Sequence, residues 1–213
     1  MAKSFDDLRL NYIYLHELWW LTESIKKRCE ELFQATPLPE QGYYFKIDYN
    51  IHSLINDILS DAANLKKLIT IPKKQTKDES FRQFQVHIER SKYLQDKIKG
   101  IQISELKSVK VRNTLQHFDE YLDEANIEAS EGRLTAHKMA VYNFVMSHWE
   151  AVNPRPYPIR LYICSEKTYH NMKASVNLDR IYREASAINE VVRNEIRRDD
   201  DSDPGGFMIN LNK

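Results

Sequence analysis

The sequence predicts an all-α fold, an up-and-down bundle of four to six helices with a minor β-hairpin near residues 159–176. Three observations predict it. Glycine occurs only five times in 213 residues, at 42, 100, 132, 205 and 206. A sandwich or barrel places turn glycines about every 10 residues, so an all-β fold is excluded. All seven prolines, at 37, 39, 72, 154, 156, 158 and 204, fall between periodic segments. A proline inside a helix costs about 3 kcal/mol, so this is the placement helices require. Between the breaks, apolar residues recur at three- and four-residue steps, the period of a helix buried on one face.

The first helix opens with Ser4 as N-cap and with Asp6 and Asp7 in the first turn, where the helix dipole favours anions. Leu8, Tyr12, Leu15, Trp19, Thr22, Cys29 and Phe33 form its stripe, and it stops before Pro37. A second helix starts near Asn50, carries Ile51, Leu54, Ile55, Ile58, Ala62, Leu65 and Leu68 on one face, and stops at Pro72. The third spans 78–99, turns Phe81, Phe84, Ile88 and Ile98 inward and closes at Gly100. The fourth spans 104–126. A fifth is expected over 135–150 from Ala136, Met139, Ala140 and Phe144. The prolines at 154, 156 and 158 forbid helix there. Residues 159–164 carry the one clear strand signal, which 168–176 can meet in a hairpin laid against the bundle. A last helix over 178–197 buries Leu178, Ile181, Ala185, Ile188 and Val192. Residues 1–198 thus form one domain, whose helical pattern loosens beyond residue 127. The acidic, glycine-containing tail 199–213 is expected to be disordered.

Composition narrows the function. Lys plus Arg and Asp plus Glu both number 31, so no global positive charge marks a nucleic-acid binder, and only a local basic site remains open. The glycines of a phosphate-cradling loop are absent. Cys29 and Cys164 form no CxxC pair, and two reduced thiols point to the cytoplasm. No apolar run reaches the roughly 18 residues of a membrane span. None of the seven histidines follows a glutamate by three positions, so the di-iron bundle pattern is missing and no metal or cofactor is expected. Carboxylate groups such as Glu120, Asp123 and Glu124 are accounted for by a solvated helix face in a chain with 29% charged residues.

One segment of the fourth helix carries definite chemistry. Starting from Val111 at ~100° per residue, Leu115, Phe118, Leu122 and Ala125 form the buried stripe. Arg112, Asn113 and His117 fall on the opposite side, with Arg112 and His117 about 140° apart. That face is either plain solvent surface or half of a site completed across a dimer. Arginine clamps phosphate in a bidentate fashion, histidine exchanges protons near neutrality and asparagine orients either partner. Such a trio suits metal-independent RNA cleavage, in which the 2′-hydroxyl attacks its own phosphate.

The segment Arg112-Asn113-x3-His117, continuing as Phe118-Asp119-Glu120, resembles the Arg-polar-x(3–5)-His motif of the HEPN superfamily (higher eukaryotes and prokaryotes nucleotide-binding). The likeness covers about nine residues as a motif and 5–198 as an order of elements, with 128–158 as an insertion relative to the family. It implies a helical bundle that forms a homodimer with two motifs in one cleft. It further implies a metal-independent endoribonuclease of toxin–antitoxin, phage-defence or RNA-processing type, or a non-catalytic interaction module with an antitoxin or other protein partner. By the same resemblance Arg112 would stabilise phosphate, His117 would assist proton transfer and Asn113 would orient them.

Overall fold

The computed structural model describes residues 5–108, 110–134, 136–196, 206, 208 and 209, and of 110–112 the backbone alone. In chain order the elements are α1 (Ile13–Ala35), β1 (Phe45–Ile47), α2 (Tyr49–Ile69), α3 (Phe81–Lys97), α4 (Lys110–Gln116) and α5 (Phe118–Ser130). They continue as β2 (Ala140–Met146), a 3-10 turn (Trp149–Ala151), β3 (Tyr157–Ile163), β4 (Thr168–Asn171), β5 (Ala174–Asn177) and α6 (Leu178–Ile196). The expected N-cap at Ser4 and all but three residues of the expected tail lie outside the described residues.

The all-α bundle is therefore overturned: the chain is mixed, with helices packed on a five-stranded sheet of order β1-β2-β3-β4-β5. The helix expected over 135–150 is where the reading failed. Its apolar residues do recur at helical steps, but 139–146 is also a nearly unbroken apolar run rich in β-branched and aromatic side chains. Such a run satisfies either period, and burial between neighbours decides for strand. Here β2 pairs with β1 on one side (Phe45↔Met146) and, in parallel, with β3 on the other (Ala140↔Tyr157). The expected hairpin is real but larger, because β4 pairs antiparallel with both β3 and β5.

α1, α2 and α6 largely match their stripes, but α3 does not: Phe81 is 65% exposed, Phe84 and Ile88 are half-buried, and the helix buries Ser91 and Leu94 instead. Asp48 caps α2 by accepting from the Ile51 amide, and Ser80 with Gln83 makes a reciprocal capping box at the start of α3. In the first segment regular helix begins only at Ile13, after a series of turns. The fourth expected helix is broken in two: His117 leaves helical geometry at φ −113° and ψ 42° and becomes the N-cap of α5.

Burial arranges three layers. On one face of the sheet, Val145, Tyr162, Tyr169, Cys164 and Val176 join Leu18, Ile25, Leu32, Ile55, Leu65, Ile181 and Ile188 from α1, α2 and α6 in one core. Across the sheet, the β2–β3 crossover packs Trp149, Ala151 and Val152 onto Val141, Met146, Leu161 and Ile163. Beside it, α5 covers the remainder through Ala125, Phe118 and Tyr121 against Tyr157, Ile159 and Met172. Between α1 and α6, buried Asn189 donates to Thr22 Oγ1 at 3.2 Å and accepts from Lys26 Nζ at 3.5 Å. Arg28 and Ser24 of α1 both bond Asp61 of α2. Among the described residues, no helix is long and apolar enough to cross a membrane.

His52 of α2 sits in this core, 5% exposed, its ring centroid 6.0 Å from that of Tyr169. Burial pulls its pKa down to about 4, because the charged imidazolium would lose its hydration. The native state therefore holds this histidine neutral while the unfolded chain takes up the proton near pH 6.5. Stability is complete above that pH and falls as the pH drops toward about 4. Denaturant unfolding at pH 7 and pH 5 should show a loss of about 2 kcal/mol from this group. His52→Leu should flatten that part of the profile, and an unchanged profile in the variant would assign the acid sensitivity elsewhere.

Candidate functional site

Three contacts hold the polypeptide that carries Arg112, Asn113 and His117. The loop before α4 is clamped by Glu184 of α6, whose carboxylate accepts from the Glu105 amide at 3.0 Å, the Leu106 amide at 2.8 Å and Ser104 Oγ at 3.0 Å. Glu105 in turn accepts from the Asn177 amide at 2.9 Å. Next, α4 is pinned to the sheet by one buried bond: Asn171 Nδ2 of β4 donates to Thr114 Oγ1 at 2.9 Å. Asn171 is fully buried and Thr114 is 3% exposed, so the bond is shielded from water. Finally, Lys173 at the β4–β5 turn bonds Glu128 at 2.7 Å and Glu124 at 2.9 Å, which ties down α5. Those bonds, to Glu128 first, push the Lys173 pKa up. They also engage one carboxylate of the acidic run that follows the motif.

Within this frame Asn113 is half-buried in α4, and its carbonyl accepts from the His117 amide at 2.9 Å. His117 stands at the α4–α5 junction with 55% of its side chain exposed. The Arg112 side chain lies outside the described residues, although position 112 is in α4. The helical break bears on how these positions relate. A continuous helix would set Arg112 and His117 about 140° apart, but the chain departs from the helical path at His117, so that divergence does not apply.

Helical spacing alone assigns the histidine no partner. The structure supplies one: His117 Nδ1 lies 3.3 Å from Glu120 Oε1. Glu120 belongs to the solvated carboxylate face expected from the sequence, and it is 73% exposed. Its position three residues on, in the first turn of the helix that His117 caps, is the signal that pointed to it. An exposed pair of this kind adds little stability. Its effect is to engage one ring nitrogen and leave Nε2 as the other working atom. Among the described residues, no group of three His, Cys, Asp or Glu side chains is placed to hold a metal ion.

Thr114→Val keeps the volume at this position but leaves Asn171 Nδ2 buried without an acceptor. It should destabilise the chain by about 1–3 kcal/mol. Because the pin lies one residue from Asn113, protease cleavage or amide exchange should increase first in 110–117. Uniform loosening of the whole chain would show instead that α4 is held by its apolar packing. No family model, curated protein or solved structure matches this chain.

Proposed function

We propose that the chain is a metal-independent endoribonuclease whose site is the α4–α5 junction, completed by a second copy in a homodimer. The observation that carries the reading is the His117–Glu120 pair, which leaves imidazole Nε2 available at an exposed helical break beside the Arg112-Asn113 dipeptide. The likeness of these residues to the HEPN motif supports it, whereas the helical bundle that the same likeness implies is not the fold observed.

The reaction needs one phosphate and its neighbouring ribose. Nε2 of His117 takes the proton of the 2′-hydroxyl, and the 2′-oxygen bonds to phosphorus. Charge gathers on the non-bridging oxygens, where the Arg112 guanidinium stabilises it. The bond to the 5′-oxygen breaks, and that oxygen receives a proton from the histidine of the second copy. The products are a 2′,3′-cyclic phosphate and a 5′-hydroxyl. Asn113 orients Arg112 and His117, and Glu120 holds the His117 ring.

Cleavage of single-stranded RNA in excess EDTA tests this reading. The parent chain should leave cyclic-phosphate ends, and His117→Ala and Arg112→Ala should each lower the rate about 100-fold or more. Glu120→Gln should cost less than either. Equal cleavage by parent and variants would trace the activity to a contaminant and remove the catalytic assignment.

A further inference from the structure

The cavity between α2, α4 and β3 has a volume of about 340 Å3. Its polar lining comes from Asn56, Ser60, Asn64 and Lys67 of α2, Gln116 of α4 and Arg160 of β3. The α2 residues recur along one side of that helix. No carboxylate lines the cavity, and neither Lys67 nor Arg160 has an ion-pair partner among the described residues. Two cations lining one hollow that holds no carboxylate give it a positive field suited to an anion.

Arg160 is held there at a conformational cost. Its φ is +57°, a left-handed geometry that a non-glycine residue rarely adopts inside a strand. Asn143, opposite it on β2, has φ +58°. The β2–β3 register passes from Tyr142↔Ile159 to Phe144↔Leu161 without slipping, so both residues step out of the ladder together. The guanidinium rests 4.1 Å from the Phe118 ring centroid and 5.9 Å from that of Tyr142, and its Nε is buried without a partner. Backbone strain maintained around a half-satisfied donor marks a group waiting for a ligand. Asn56 supplies the complement: its Oδ1 is buried and also lacks a partner, an acceptor suited to a hydroxyl.

We infer that this cavity binds a ribonucleotide unit of a single RNA strand, with Arg160 and Lys67 on the phosphate and Asn56 accepting from a ribose hydroxyl. The inference rests on the proposed ribonuclease reading for its choice of RNA. Gln116 lines the cavity and immediately precedes His117, so a strand lying across α4 can occupy the cavity with one nucleotide while a neighbouring phosphate reaches the junction.

Binding can be read without cleavage by using the His117→Ala chain and fluorescence anisotropy of fluorescein-labelled octauridylate. Adding Arg160→Gln or Lys67→Gln should weaken affinity about tenfold each, and should flatten the salt dependence by about 0.7 in log–log slope per lost contact. The matching DNA oligomer should bind more weakly than RNA. Lys67 is exposed on α2, so its variant carries the result if Arg160→Gln lowers the melting temperature. Affinities within twofold of the parent in the Lys67 variant and in a folded Arg160 variant would overturn the inference. Equal binding of RNA and DNA would overturn the ribose contact, and saturation by inorganic phosphate with no RNA preference would reduce the cavity to a free-anion site. Since cleavage is not measured, a chain that proves inactive still reports on the cavity. An active chain whose affinity ignores both substitutions keeps the reaction and loses the subsite.

Discussion

The structure depends on the demand of α1 to be buried on more than one side. Leu18, Leu21, Ile25, Cys29 and Leu32 are at most 2% exposed, and this helix contacts both α2 and α6. Two neighbours cover its flanks, and the sheet takes the remaining apolar surface of the three-helix layer. That is why Tyr162 and Tyr169, large residues with polar tips, are fully buried where a helix-only bundle would have carried aliphatic side chains. Burial of the phenol groups pushes both their pKa values up, as expected where an oxyanion could not be hydrated.

The second layer of dependence runs from the sheet to the motif. β4 presents Asn171 to α4, the β4–β5 turn presents Lys173 to α5, and Glu184 from α6 fixes the loop between α3 and α4. None of these anchors touches His117, yet together they set where the two short helices meet. A seven-residue helix such as α4 has little stability of its own. Its geometry is borrowed from the sheet, so the element that contradicted the bundle is also the one that positions the candidate site. Of the paired left-handed residues, Arg160 costs roughly 1–2 kcal/mol and Asn143, a residue type that tolerates this geometry, less, and the packing around them must offset that.

Periodicity made α2 and α6 legible to within a few residues, because each has one buried stripe and a recognisable start or stop; α3 was legible in its bounds but not in its buried face, since Phe81 at its first turn is exposed. β3 and β4 were legible from their composition. Position 140–146 was not, since its residues satisfy both periods and only its neighbours in space settle the choice. β1 is three residues long and gave no periodic signal at all. The break at His117 was hidden for a related reason: Leu115, Phe118 and Leu122 fit one continuous stripe, whereas Phe118 packs with the α5 group against the far face of the sheet. For the candidate site, Asn113 and His117 could be read from local spacing, and Glu120 lay within reach of the same argument. Asn56, Lys67 and Arg160 could not, because they are brought together from α2 and β3 by tertiary folding alone.

The junction of α1 with α6 also governs the order in which the polypeptide can mature. The bond from Asn189 to Trp19 joins residues 170 positions apart, and β1 finds its partner β2 about a hundred residues further along. During synthesis the apolar side of α1 emerges early and has only α2 to shelter it until α6 is made. Long-range closure of this kind is slow and leaves sticky intermediates in the meantime. A nascent chain halted before α6 therefore presents an uncovered apolar helix to the cell, a natural ligand for chaperones and a ready signal for degradation.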